Sequence, residues 1–426
     1  MTTSKQARSD GVTQAQEETP KRLPEMDTQL INRFERRIRE LGLPLGVRLW
    51  NGNAITPAVE PRVTIALRTP KVLLSLLNPS MGKLARHYVE QELDVEGEAR
   101  DVVRIAEELS GARGNTGSGS SRLFRWISHT RGFDRKAIRH HYDVGDDFFK
   151  LWLDRRRVYS CAYFKRADDN LEIAQEQKLD LICRKLQLQP GERFLDVGCG
   201  WGALVMWAAR HYKVRATGIT LSQNQHDYAQ ARIREEGLED TCEVQLLDYR
   251  DVPEKDPFDK IASVGMLEHV GRSNLPLYFG KLFRLLKPGG LVMNHGITLN
   301  VNGASQLGSG IGEFIDEYVF PGGELVHVSQ LIADMSEQGL ECRDVESLRP
   351  HYAKTLWHWV ERLEANREAA IAAVGEKIYR VWRIYMAGSA NSFERGWLSI
   401  HQVVAGRPHA DGTLPLPLSR DYIYAS

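Results

Sequence analysis

The segment that most constrains this chain is Phe194-Leu195-Asp196-Val197-Gly198-Cys199-Gly200-Trp201-Gly202. A short apolar run breaks into three alternate glycines. Ala203–Tyr212 follows with helical spacing. The pattern reads as a strand entering a helix through a turn whose missing Cβ atoms let a ligand approach the backbone. The same rhythm continues downstream. Strands are expected over Val214–Ile219, Glu243–Leu247, Lys260–Val264 and Leu291–Asn294, with helices over Asn224–Gly237 and Leu275–Leu286. Lys287-Pro288-Gly289-Gly290 turns the last helix into the last strand. Short apolar strands alternating with helices predict an α/β fold with a parallel sheet covered on both faces.

A glycine turn by itself fits many tight turns, so its spacing matters. A dinucleotide fold wants GxGxxG and an acid about 20 residues on. Here the spacing is GxGxG, Asp196 lies inside the strand end, and strand two ends in Gly218-Ile219-Thr220-Leu221-Ser222-Gln223 without an acid. Strand three ends in Leu247-Asp248-Tyr249. An acid there can accept from an adenine amino group, and an aromatic ring can stack on the base. Three consecutive strand ends at one edge of a parallel sheet are where a ligand should sit. Together they resemble the doubly wound, Rossmann-like fold of class I S-adenosylmethionine (SAM) methyltransferases.

Less generic segments surround that core. They are Arg139-His140-His141-Tyr142-Asp143-Val144-Gly145-Asp146-Asp147-Phe148-Phe149, Tyr159-Ser160-Cys161-Ala162-Tyr163-Phe164, Ser263-Val264-Gly265-Met266-Leu267-Glu268-His269-Val270-Gly271, Phe320-Pro321-Gly322-Gly323 and His351-Tyr352-Ala353-Lys354-Thr355-Leu356. This set resembles the cyclopropane-fatty-acid synthase family, which includes the mycolic acid methyltransferases. Leu49-Trp50-Asn51-Gly52 and Glu92-Leu93-Asp94-Val95-Glu96-Gly97 are similar to the N-terminal domain of its longer bacterial members.

The resemblance implies transfer of the SAM methyl to a cis double bond of a phospholipid acyl chain, then ring closure after bound bicarbonate takes a proton. It implies a bicarbonate cage of Cys161, Glu268, His295, the Ile297 backbone and Tyr352. It implies SAM held by Tyr142, Tyr159, Ser160, Asp196, Gly198, Gly200, Gly202, Thr220, Leu221, Gln225, Asp248 and Tyr249, and a homodimer. Where some members carry a cysteine, this chain has Ser389, which argues against a cysteine nucleophile at that position. The chemistry agrees on its own terms. An alkene is a poor nucleophile, so position in a dry pocket is the main lever. The aromatic faces of Tyr142, Tyr159, Tyr163, Phe164 and Trp201 suit a sulfonium and a carbocation. Alternatives remain: a methylene- or methyl-branched chain from the same cation, a small-molecule N-methyltransferase, or a lipid-binding module without catalysis.

Plainer roles stand beside these. Cys161 reads equally as a small buried hydrophobe, and His295 as a satisfied core histidine. Met266, Trp357, Trp359, Trp382 and Tyr385 read as packing, some of it along an acyl groove. His140 and His141 point apart and make no metal pair.

The organisation follows from composition. Residues 1–27 are polar, lack a signal peptide's apolar core, and are expected to be a disordered tail. Thr28–Leu41, Pro70–Leu77, Met81–Val89 and Val102–Leu109 read as helices, and Val47–Trp50 and Arg62–Leu67 as strands. These make a smaller α+β N-terminal domain over 28–109, for lipid recruitment or dimerisation. Ser110–Ser121 holds eight Gly or Ser in twelve residues and reads as a flexible linker. The catalytic domain then occupies 122–426, with a helical lid from Pro350 to Ser389.

Lys+Arg and Asp+Glu are both 56, which excludes a wholesale nucleic-acid binder. The neutral sum conceals Arg122 to His141, with six basic residues against the single acid Asp134 and interleaved Leu123, Phe124, Trp126, Ile127 and Phe133. It reads as a solvated helix face or as an anchor on anionic phospholipid. The anchor is refuted if charge reversal at Arg122, Arg125 and Arg131 leaves binding to anionic vesicles unchanged. Five widely spaced cysteines suggest reduced thiols in a cytoplasm and no metal site. With the lipid substrate that the resemblance implies, a cytoplasmic enzyme peripheral on the inner membrane surface is expected.

Overall fold

The computed structural model describes residues 25–57, 59–112, 145–301 and 307–424. Most of the polar tail, residues 113–121 of the linker, the basic stretch and Tyr142 lie outside the described residues.

The first unit contains α1 (Glu25–Glu40), β1 (Leu45–Arg48), β2 (Ala54–Ile55), β3 (Val63–Leu67), α2 (Pro70–Leu77), α3 (Met81–Val89), β4 (Leu93–Glu96) and α4 (Ala99–Ser110). Its sheet runs β2-β1-β3-β4, with β1 and β3 parallel and the other pairs antiparallel. Val63, Ile65 and Leu67 are buried and alternate with half-buried neighbours, so one face of β3 packs on the helices. The side chain of Ser80 caps α3 by accepting from the Lys83 amide. Gly111 ends α4 in the left-handed conformation that glycine adopts at low cost.

The second unit opens with α5 (Asp146–Lys150), α6 (Leu171–Lys185), β5 (Arg193–Val197), α7 (Ala203–Tyr212), β6 (Arg215–Thr220), α8 (Gln223–Glu235) and β7 (Cys242–Leu246). It continues with β8 (Phe258–Val264), α9 (Leu267–Val270), α10 (Leu275–Leu285), β9 (Leu286–Leu299), α11 (Ile311–Tyr318), β10 (Val326–His327), α12 (Val328–Glu337) and β11 (Glu341–Ser347). α13 (Arg349–Ala365), α14 (Arg367–Glu394), β12 (Leu398–Gly406) and α15 (Asp421–Tyr424) complete it. Gly375 breaks the helical dihedrals inside α14, so that element is two helices meeting at a kink.

The large sheet runs β11-β12-β9-β8-β5-β6-β7, with β10 added to β9. β7 through β9 pair in parallel, and β12 and β11 are antiparallel. Phe194 of β5 joins the core under α6 and α7, whereas Leu195 and Val197 join the core under α10 and α12. The apolar run is therefore buried on both faces, as its continuity predicts. The last parallel strand is much longer than Leu291–Asn294. Lys287–Gly290 is an irregularity inside β9, where the register to β8 jumps from Leu286 to Leu291.

α14 joins the two units. Arg380 donates to the carbonyls of Tyr88 and Leu93 at 3.0 and 3.2 Å and to Asp94 at 2.6 Å. Arg383 donates to the Gly97 carbonyl at 2.8 Å, the Tyr88 hydroxyl at 3.2 Å and Glu364 at 2.7 Å. Both arginines are buried. Phe314 and Val381 belong to the same apolar core as β1, β3 and α2.

Candidate active site

β5 has β6 on one side and β8 on the other, so the strand order reverses there and leaves a crevice beyond the carboxyl ends. A cleft of about 1020 Å³ occupies it. Gly198, Gly200 and Trp201 from the turn after β5, Thr220, Leu221 and Gln225 after β6, and Leu247 and Tyr249 after β7 line it, facing Tyr159 and Ser160. Gly198 has φ +77°, and a Cβ there would lie 2.5 Å from the Met266 sulfur. A side chain at this position would both strain the backbone and fill the cleft. The Thr220 hydroxyl donates to Gln225 Oε1 at 2.9 Å, tying the end of β6 to α8.

Asp196, on the Phe194 face of β5, lines the cleft and is buried with Oδ1 lacking a protein partner. Burial pushes its carboxyl up to about 7, and Lys178 draws it back down. Lys178 stands on α6, fully buried, and donates to Ser160 Oγ at 2.7 Å. Burial lowers its ammonium to about 8, opposed by Cys161, Asp154 and Asp196. A buried acceptor beside a glycine-walled cleft fits a ligand bearing hydroxyl or amine donors, as the ribose and amino-acid ends of SAM do.

A second cavity of about 1000 Å³ adjoins the first. Tyr159, Gly265 and His269 line both. Its other walls are mostly apolar, with Ile297, Leu307, Ile315, Phe320, Leu356 and Phe393 among them. Glu268, in the first turn of α9, enters this cavity. Its Oε1 accepts from the Ile297 amide at 2.7 Å, and its Oε2 is buried without a partner among the described residues. Burial pushes this carboxyl up to about 7.

His295, on β9, lies opposite Gln402 of β12 in the antiparallel register. Gln402 Nε2 meets His295 Nδ1 at 3.0 Å. With the amide NH₂ directed at it, Nδ1 accepts and the ring proton resides on Nε2. Nε2 is buried without a partner among the described residues, and burial holds the imidazole neutral by driving its pKa well below the usual value. Tyr352 of α13 also lines this cavity.

The fold thus gathers Tyr159, Ser160, Asp196, Gly198, Gly200, Thr220, Leu221, Gln225 and Tyr249 around one cleft, and Glu268, Ile297 and Tyr352 around the next. Five expectations need revision. His295 lines neither cavity, and its Nδ1 meets Gln402 instead. Asp248 does not line the cleft; its carboxylate accepts from the Arg250 amide and guanidinium at 2.7–3.0 Å. Gly202 faces α8, where an added Cβ would lie 3.0 Å from Ala229, so it serves helix packing. Cys161 lines neither cavity; its thiol is buried toward the Ala162 carbonyl, and burial raises its pKa. The Ile297 amide is engaged by Glu268.

Met266, read as packing, instead lines the SAM-sized cleft. Sequence reasoning gave no role to Lys178, Arg157 or Gln402. Arg157 lines the cleft, pairs with Asp146 at 2.9 Å and lies 4.1 Å over Tyr228. Its signal is faint: a third arginine in a row reads as surface.

Residues 129–403 match the model of the family described as mycolic acid cyclopropane synthetase. A Pseudomonas putida protein named probable fatty acid methyltransferase is 48% identical over 387 residues, covering 91% of this chain and 98% of that one. The Escherichia coli cyclopropane-fatty-acyl-phospholipid synthase is 41% identical over 292 residues, 68% of this chain and 72% of that one. The crystal structure of mycolic acid cyclopropane synthase CmaA1 complexed with SAH and CTAB superposes with a TM-score of 0.61 at 37% identity, covering 64% of this chain and 98% of that one. Sheet order, glycine-walled cleft and sequence agree, and the chain belongs to the mycolic acid cyclopropane synthetase family of SAM-dependent methyltransferases.

Proposed function

We propose that this enzyme transfers a one-carbon unit from SAM to a cis double bond in a membrane phospholipid acyl chain and closes it to a cyclopropane ring. Support comes from Glu268 and Tyr352, which line an apolar cavity adjoining the cofactor cleft, with Glu268 Oε2 buried and without a partner among the described residues. A base and a donor held dry beside an apolar cavity suit removal of a proton from a cationic hydrocarbon.

SAM supplies an electrophilic methyl on a positively charged sulfur. Gly198 and Gly200 would admit it close to the backbone, Asp196 would accept from its donors, and Tyr249 would hold its base. Tyr159 and His269 stand where the two cavities meet, so transfer crosses between them. The Tyr159 face stabilises developing positive charge by about 0.5–2 kcal/mol. Bicarbonate would supply a proton acceptor, held by Glu268 Oε2, the His295 Nε2–H and Tyr352. Ile297 contributes indirectly, by orienting Glu268 through its amide. No described helix is long and apolar enough to cross a membrane. On the proposed reading the enzyme works from the bilayer surface and draws the chain inward.

Glu268→Gln tests the proton step. SAM affinity should stay within about threefold while turnover falls by about 10²–10⁴. Turnover near the parent's would remove Glu268 from the mechanism. Removal of dissolved carbon dioxide should slow the parent enzyme, and addition of bicarbonate should restore it. Indifference to bicarbonate would leave Glu268 itself as the acceptor.

The name of the Pseudomonas relative favours a second reading, in which the same cation yields a methylene- or methyl-branched chain.

A further inference from the structure

A third cavity, of about 970 Å³, lies between the first unit and the lid helices. β1, β3 and β4 with α2, α3 and α4 wall one side; α11 and α14 wall the other. No charged residue lines it. Its few hydroxyls include Tyr88, which accepts from Arg383, Ser392, which donates to the Gly388 carbonyl at 2.8 Å, and Tyr385, which lies beside Tyr159 and Ser389. Protein interiors are normally close-packed, and a cavity this apolar takes apolar ligands.

Leu307, Ile315, Tyr385 and Ser389 line both this cavity and the one that holds Glu268. One layer of side chains therefore separates them. Tyr159, beside Tyr385, also lines the cofactor cleft. The three spaces form a series: cofactor cleft, reaction cavity, apolar cavity.

The junction of the two units is built to persist. Gly82 packs on Gly310 so closely that a Cβ would lie 2.0 Å from the carbonyl oxygen, and the Gly82 amide donates to Ser309 at 3.0 Å. Arg380 and Arg383 hold the opposite rim through buried, charge-assisted bonds.

We infer that this cavity receives the methyl-terminal end of the acyl chain whose double bond sits in the reaction cavity. The inference rests on the proposed acyl substrate. A headgroup or carboxyl end would find no charged partner among the described residues there, whereas a hydrocarbon end needs none. The first unit thereby becomes part of the substrate site and sets how much chain beyond the double bond is accepted.

The test uses the full chain and phospholipid vesicles whose acyl groups share one double-bond position but differ in length beyond it. Ala106 lines the cavity from α4, away from the catalytic groups. Ala106→Phe should slow the longest distal segment by about tenfold or more relative to the parent and leave the shortest within about twofold. Equal rates at every length, or equal losses at every length with SAM affinity and melting temperature kept, would overturn the inference.

If the variant loses its fold, the unaltered enzyme decides. A phospholipid with a diazirine on the terminal acyl carbon should label residues 81–110 on irradiation, and label confined to residues 145–424 would overturn the inference. Labelling of 81–110 by an enzyme that methylates no lipid would uphold the cavity and refute the proposed function. Methylation of lipid without such labelling would do the reverse.

Discussion

Glu268 presents two oxygens in unlike surroundings, one fixed by the Ile297 amide and one facing the cavity. Its carboxyl titrates near 7 because burial disfavours its charge. If the ionised form is the active one, the rate should rise with pH through about 7, and that limb should vanish in Glu268→Gln. A pH–rate profile checks it. The same burial shapes stability. Asp154, Asp196 and Glu268 are all raised, to about 6, 7 and 7. The folded state therefore holds these protons more tightly than the unfolded chain does. Their contribution is present below about pH 4 and is lost as pH climbs to about 7. Comparing thermal melts of the unliganded parent and Asp154→Asn isolates one such share: the parent's advantage should shrink as pH rises from about 4 to 7, and a growing advantage would overturn it. At this scale the glycines were legible in the sequence, because only glycine tolerates the backbone and the close approach at Gly198. Lys178, Arg157 and Gln402 were not. Charged and amide side chains read as surface, and only tertiary partners such as Ser160, Asp146 and His295 make them buried and purposeful.

The pairing of β9 with β12 is what places Gln402 against His295. Gln402→Leu should remove the amide, release the Nδ1 tautomer constraint and slow turnover about ten- to a hundredfold, the effect of leaving a buried polar group unsatisfied. Nitrogen-15 NMR of the histidines would register the tautomer change. An unchanged spectrum and rate would make the contact incidental. The parallel strands and their helices were legible because their apolar runs are bounded by turn residues. β12 was not: Leu398–Gly406 is buried along nearly its whole length and lacks the alternation that marks an antiparallel strand. Lys287–Gly290 carries turn chemistry and bends β9 locally, yet pairing with β8 resumes beyond it, so the strand's true length was hidden. Asp248 carried the right residue type at the right strand end; Arg250, two residues on, takes its carboxylate instead.

Across the whole molecule, the two units share a core and a set of buried bonds from α14. Arg383→Met would leave the Gly97 carbonyl, the Tyr88 hydroxyl and Glu364 without their donor, at a cost of about 2–4 kcal/mol. The parent should melt in one transition and this variant at lower temperature. An unchanged melting temperature would show that the units do not depend on the clamp. The sequence displays a first unit and a Gly/Ser stretch after it, but the contacts from α14 to that unit span more than 280 positions and leave no local signal. The central claim is that a proton leaves the transferred methyl to close a ring. It is tested by SAM whose methyl carries three deuterons, given to the enzyme with cis-monounsaturated phospholipid vesicles, followed by mass spectrometry of the fatty acids before and after ozonolysis. The expected product keeps two of the three deuterons and survives ozone. Three retained deuterons in a branched chain, or a labelled product that ozone cleaves, would contradict it.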